Sequence, residues 1–446
     1  MLAKAFRSIG SPRQWVQDDL LRRLFKNAAV LFSGNMIASL LGLASLALTA
    51  RALGVEQFGF LVLITTYVLI VDRLVNFQSW QAIIKYGADA LEKERREDFK
   101  SLIKFGFLLD GATAVLGAVV AACAAWFVGQ WRGWDDQLVL MAALYSFTIL
   151  FHINGTPTAI LRLFNKFKLV AYQNVIASVI KLVGVTIAFF SGAGLWAFLL
   201  VWAVVDVVGK LVLVFFAGQE LTAKGYRGLW GSSTKAISQK FKGIWAFVWT
   251  TNINSSIRMT SRELDVMIIA GFLGPAAVGL YKIAKQFASV IQKTIDPLYQ
   301  AIYPELAKLF TRGEIKNFIF FGLRSSLIAG MFAALVWLGF YFFSEYIFLF
   351  TVGAEYLDAV GVLLWYMMAI VVATIAFPLQ PAMLAMGLPH TTFWVHIGST
   401  IVYFSVLYVA LPSLGLIGAG VAYLVYYLSW SCAMLAIEAY LLARRV

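Results

Sequence analysis

Charge is what this sequence has least of. Asp, Glu, Lys and Arg make up 13% of its 446 residues, about half the share of a soluble domain. That excludes a large water-exposed domain. Its two cysteines, Cys123 and Cys432, both fall in apolar stretches and are too few for a disulfide framework. The three histidines, His152, His390 and His396, have no metal-ligand spacing with cysteine or with one another. They are read as structural or interfacial, and no metal site or cofactor is expected. The chain also lacks a GxxxxGK[ST] loop and an HExxH helix, which argues against phosphate-loop hydrolases and zinc proteases. Asn154-Gly155-Thr156 matches a glycosylation sequon, but it sits inside an apolar stretch just before Pro157 and is set aside.

What is abundant is apolar: 61% of the residues are hydrophobic. A helix needs about 20 such residues to cross a hydrocarbon core about 30 Å thick. Stretches of that kind fall at about 27–50, 58–84, 102–129, 137–160, 169–190, 194–217, 244–270, 277–302, 317–343, 359–385, 391–411 and 415–442. They predict an all-α integral membrane protein with twelve transmembrane helices, numbered here as spans 1–12. The first stretch is too long for a signal-peptide core and is expected to remain as span 1. Ahead of it, Trp15, Val16, Leu20, Leu21, Leu24 and Phe25 alternate with basic residues. Their spacing suits a helix lying among lipid headgroups.

The formal net charge of +13 raises the question of nucleic acid, and its placement argues against that partner. Lys and Arg gather in alternate loops. With the N-terminus inside, the segments on that side hold 25 of them, and the opposite loops hold only Arg51 and Arg132. The positive-inside bias then places both termini in the cytoplasm.

An internal repeat divides the chain. At an offset of 220, Ala50, Leu53, Gly54 and Gly59 fall on Ala270, Leu273, Gly274 and Gly279. Each copy joins two spans by a short outer turn and is followed by a charged inner loop. The expected organisation is an N-terminal segment 1–26, an N-lobe 27–217, a linker 218–243 and a C-lobe 244–446. Six spans per lobe give both lobes the same topology, so a pseudo-twofold axis should run along the membrane normal with a cavity between the lobes. Pro157 in span 4 and the pair Pro378 and Pro381 in span 10 break roughly corresponding helices. These are either moving parts or ordinary packing kinks.

Ionisable groups inside spans are costly and mark function. Nine are basic: Arg73, Lys181, Lys210, Arg258, Arg262, Lys282, Lys285, Lys293 and Arg324. Six are acidic: Asp72, Asp110, Asp206, Glu263, Asp265 and Asp296. Arg258 and Arg262 share a helix face, as do Lys282, Lys285 and Lys293. Arg262 and Lys285 fall at similar depth, about 7 Å outward of the span centres. A cationic patch there would suit phosphate or pyrophosphate. The alternative is local pairing of Arg262 with Asp265 and of Lys293 with Asp296. The repeat sets Arg73 on Lys293, a pair of cations facing one cavity from the two lobes, unless Asp110 neutralises Arg73. Asp206 and Lys210 either neutralise each other or hold a coupling proton or ion. Asp72, Lys181 and Asp265 are further candidates for the cavity or for coupling.

Several segments carry a resemblance: NAAVLFSGNMIASLLGLASLALTARALGVEQFG, LDVMIIAGFLGPAAVGLYKIAKQ, YPELAKLF, GAEYLDAVGVLLWY and GLIGAGVAYLV. In this order and spacing the chain resembles the polysaccharide-transporter, or O-antigen repeat-unit flippase, family of the multidrug/oligosaccharidyl-lipid/polysaccharide (MOP) export superfamily. The resemblance implies a V-shaped, two-lobed transporter of the bacterial inner membrane working by alternating access. Its implied substrate is an undecaprenyl-pyrophosphate-linked oligosaccharide. The cationic cavity role would fall on Arg73, Arg258, Arg262, Lys282, Lys285 and Lys293. Na+ or H+ is an open choice of coupling ion. Polysaccharide polymerase and glycosyltransferases of the same pathway are possible partners, and two fused lobes suggest a monomer. The lipid II flippases of the superfamily resemble longer chains with two extra spans.

Two other functions compete. A cation-coupled antiporter of the multidrug and toxin extrusion type would want an acid-dominated cavity, for which Asp72, Asp110 and Asp206 are candidates. A membrane glycosyltransferase or polymerase would be expected to carry a large external loop, and the external loops here are short. The net positive charge inside the spans favours a flippase for an anionic lipid over either, and no enzymatic activity is expected.

Overall fold

The structure, a computed structural model, describes residues 19–77, 79–235, 237–260 and 263–443. Of the amphipathic segment expected at 1–26, residues 1–18 lie outside the described residues, while 19–26 form the start of the helix Asp19–Val75 and run on into span 1. All regular elements among the described residues are α- or 3-10 helices. A backbone in lipid has no water to bond to, and a helix satisfies its N–H and C=O groups within one segment.

Ten described segments are long and apolar enough to cross a membrane. The first, Ser33–Val75, holds two crossings, one on each side of Gly54. Ile244–Thr260 followed by 264–274 supplies a further crossing ahead of Pro275. Among the described residues this makes twelve crossings by length and composition. The repeat is visible in the backbone. Gly54 (φ 69°, ψ 174°) and Gly274 (φ 81°, ψ −177°) each interrupt a long helix. A side chain at either position would be strained, so glycine alone makes this turn between spans without a loop.

Four further breaks matter for the site. The helix of span 2 ends at Val75, and the chain resumes as the helix Trp80–Glu92. Span 4 runs as Asp136–Ser146, a 3-10 turn Phe147–Phe151, and then Gly155–Leu163. The break comes just before Pro157, whose ring fits the first turn of the new helix. Span 10 divides into Ala359–Ile375 and Leu379–Ala385 around Pro378. Span 7 is interrupted at Glu263, where the helix starting at Leu264 has its N-cap.

The buried residues show how the lobes meet. On the side of the Gly54 and Gly274 turns, one continuous core mixes both lobes, with Phe58, Leu61, Tyr281, Phe348 and Tyr356 all fully buried. There Gly59 packs on the Pro275 carbonyl and Gly279 on the Val55 carbonyl. Tyr356 Oη donates to Ala50 O at 3.0 Å, and Arg51 Nη2 donates to Leu349 O and Phe350 O at 2.8 and 2.7 Å. Toward the face carrying the linker the cores are separate. Ile83, Phe99, Leu102 and Ile160 form one in the N-lobe, while Leu306, Phe318 and Met383 belong to two others in the C-lobe. The lobes therefore form a V that is joined at the turn face and parts toward the linker face.

The linker rests on the N-lobe. Lys104 Nζ donates to Trp230 O and Ser232 O at 2.6 and 2.9 Å, and Lys240 pairs with Asp98 at 3.0 Å. The Tyr226 ring lies 4.8 Å from Phe99 and stacks on Phe164. Ile244 and Val248 continue this contact, so the first half of span 7 leans on the N-lobe core.

Candidate functional site

A cavity of about 400 Å³ lies among the N-lobe helices beside the span 4 break. Asp72 and Arg73 reach it from the last turn of span 2. His152 enters from the break in span 4, Lys181 from span 5, and Asp206 and Lys210 from span 6. The C-lobe supplies Lys282 from span 8. Thr65, Thr66, Tyr145, Asn154 and Gln173 add neutral polar groups.

Its carboxylates share one partner. His152 Nδ1 lies 3.1 Å from Asp72 Oδ1, and Nε2 lies 2.6 Å from Asp206 Oδ2. Asn76 Nδ2 donates both to Asp72 Oδ1 and to the His152 carbonyl, each at 3.1 Å, and Thr113 Oγ1 donates to Asn76 Oδ1 at 3.1 Å. This knot ties spans 2, 3, 4 and 6 together. Lys210 stands 3.9 Å from Asp206 Oδ1, the loose end of ion-pair range. The i,i+4 pairing expected from sequence is thus secondary to the histidine contact.

The cations are held differently. Lys181 Nζ sits 3.4 Å above the Trp202 ring. A face-on ring offers attraction without a countercharge, so this contact leaves the amine unneutralised by any carboxylate. Arg73, Lys181 and Lys282 make no ion pair with a carboxylate among the described residues. Four basic side chains and two carboxylates therefore line this space.

Lys285 lies elsewhere. Its Nζ donates to Asp265 Oδ2 and Oδ1 at 2.9 and 3.2 Å. Tyr281 Oη donates to the same carboxylate at 2.6 Å, with Tyr403 Oη at 3.4 Å. The expected Arg262–Asp265 pair assumed one continuous helix. The helix is interrupted at Glu263, between those positions, and among the described residues the carboxylate meets span 8. Arg262 is outside the described residues, as are the side chains of Arg258 and Lys293. Asp110 does not meet Arg73 either. Its Oδ2 accepts from Thr156 N at 2.8 Å, capping the helix that restarts span 4.

Sequence reasoning missed His152. The available signal was its place in an apolar span, where an imidazole is ionisable in the same sense as the carboxylates counted there. The break before Pro157 marked the same spot.

Residues 24–310 match the family described as "Polysaccharide biosynthesis protein". Inner membrane protein YghQ of Escherichia coli (strain K12) is 30% identical over 350 residues, covering 78% of this chain and 97% of YghQ. Lipid II flippase MurJ, in an inward closed conformation, superposes with a TM-score of 0.70 at 15% identity, over 92% of this chain and 87% of MurJ. An inward-facing multidrug resistance MATE family transporter of the MOP superfamily gives a TM-score of 0.69 at 15% identity, over 93% of this chain and 94% of that one. The fold is accordingly the two-lobed MOP transporter fold, and these structural relatives are a flippase and a transporter, not enzymes. With a match across more than half its length and a relative at 30% identity, the chain belongs to the polysaccharide biosynthesis protein family.

Proposed function

We propose that the protein is a flippase that moves undecaprenyl-pyrophosphate-linked oligosaccharide units across the bacterial inner membrane by alternating access. The glycan would serve O-antigen, capsule or exopolysaccharide synthesis, handed over from glycosyltransferases and on to a polymerase. The observation that carries the reading is the cavity: Arg73, Lys181, Lys210 and Lys282 outnumber Asp72 and Asp206, and His152 already engages both acids. A pyrophosphate head group meets unpaired donors there, and in a low-dielectric site such contacts are strong. Lys181 and Lys282 come from different lobes, so an anion bridging them binds one arrangement of the lobes better than another. Differential binding of that kind is what alternating access requires.

The charge bias sets the linker face in the cytoplasm. The V then opens inward and is closed on the periplasmic side, with both termini cytoplasmic. Substrate would enter from the inner leaflet between the parted halves.

The test is lipid extraction from a host lacking the protein. Accumulation of undecaprenyl-pyrophosphate-linked oligosaccharide with reduced surface glycan is expected, reversed by the native chain but not by Lys181→Ala with Lys282→Ala. Unchanged lipid-linked sugar together with new sensitivity to cationic compounds would replace this reading with the multidrug antiporter.

A further inference from the structure

The contact between His152 and its two acids poses a proton-counting problem. Both ring nitrogens face carboxylate oxygens, at 3.1 and 2.6 Å. An ionised carboxylate only accepts hydrogen bonds, and a neutral imidazole has one N–H. Both contacts are satisfied only when the triad holds a proton beyond those of a neutral ring and two carboxylates. With that proton the ring donates twice. Without it, one nitrogen lone pair points at a negative oxygen.

The surroundings decide which contact gives way. Asn76 bonds to Asp72 and to the His152 carbonyl, so spans 2 and 4 stay joined whatever the ring carries. Among the described residues the Asp206 contact is backed by no such hydrogen bond, only by Lys210 at 3.9 Å. The Asp206 side chain is 30% exposed, against 8% for Asp72 and 9% for His152. It is the member most open to the cavity, and Lys210 stands 3.9 Å away on the same helix.

We propose that Asp72, His152 and Asp206 form an exchangeable proton-binding site in the N-lobe, entered from the cavity through Asp206. On binding, one proton passes from cavity water to the triad and resides on His152 Nε2, facing Asp206. On release it returns to cavity water, and no other bond forms or breaks. The loaded site fastens span 6 to spans 2 and 4. The empty site frees the Asp206 carboxylate to turn toward Lys210. The charged and titratable groups facing the triad are Arg73 beside Asp72, Tyr145 on span 4, Lys181 on span 5, Lys210 on span 6 and Lys282 from span 8. Asp110 on span 3 is turned away to Thr156 N. The bound proton adds to the positive charge of the cavity, so proton and anion binding reinforce each other there. The site rests on its own geometry and does not depend on what the cavity carries.

The test is nitrogen-15 magnetic resonance of full-length, histidine-labelled protein in lipid nanodiscs, between about pH 5 and about pH 9. The chain has three histidines, and His152→Gln identifies the signal of interest by its loss. The native ring should carry two N–H groups at the acid end and one at the alkaline end, with Nε2 the nitrogen that changes. At about pH 7 the Asp206→Asn ring should have lost the Nε2 hydrogen that the native ring keeps. A native ring with one N–H throughout, or two throughout, overturns the proposal, because the proton is then absent or fixed. Identical behaviour in native and Asp206→Asn protein also overturns it. If Asp206→Asn does not fold, Asp72→Asn makes the same comparison at Nδ1.

Discussion

Gly59 rests directly on the carbonyl oxygen of Pro275, and a Cβ built there would overlap it. The repeat-related contact, Gly279 on Val55 O, is its mirror in the other lobe. Small residues let helix backbones approach in membranes, where packing substitutes for the hydrophobic effect. Gly59→Ala should cost about 1–3 kcal/mol as overpacking and prise the lobes apart on the turn face. Cysteine cross-linking across that face should fall, together with a lower unfolding temperature. Unchanged cross-linking would mean the crossing tolerates a methyl group.

Closure of the same face also depends on two polar contacts between lobes. Tyr356→Phe removes the bond to Ala50 O, and Arg51→Ala uncaps the carbonyls of Leu349 and Phe350. Each loss should weaken closure by about 1 kcal/mol, and the double variant should shift the lobes toward opening on this side. Distances between spin labels on the two lobes measure it.

Asp110 tests an architectural role. It is buried and caps the restarted helix of span 4 through Thr156 N. Asp110→Ala should lower stability by about 1–2 kcal/mol, whereas Asp110→Asn, which still accepts a bond, should lose less. Thermal unfolding in detergent separates the two. Equal losses would show that charge, not capping, is what the site needs.

The linker offers a fourth test. Lys104→Ala and Lys240→Ala remove its anchors to the N-lobe. Segment 226–242 should then be cut faster by protease while the spans stay protected. Slow, unchanged cleavage would leave the Tyr226 stack on Phe164 as the sufficient anchor.

Much of this fold was legible in the chain, because its signals are local. An apolar run reports a span whatever surrounds it, and the 220-residue offset carried the helix-breaking role of Gly54 onto Gly274. The partnerships within the site were less legible. Asp72, His152 and Asp206 meet only through the rotation of three helices about their axes, which a hydropathy pattern this uniform does not fix. Helical spacing points Asp265 only at near neighbours such as Arg262, so it gives no sign of Lys285, twenty residues on, which the fold brings to the same carboxylate.

The reciprocal glycine crossing has a mechanical consequence. It lies near one end of span 8, whose helix continues to Thr311, about 50 Å farther at 1.5 Å per residue. The crossing is a fulcrum and the span a lever. Each degree of rotation there carries the far tip about 1 Å. A rotation too slight to break the packing of Gly59 and Gly279 therefore moves the far tip by several ångströms.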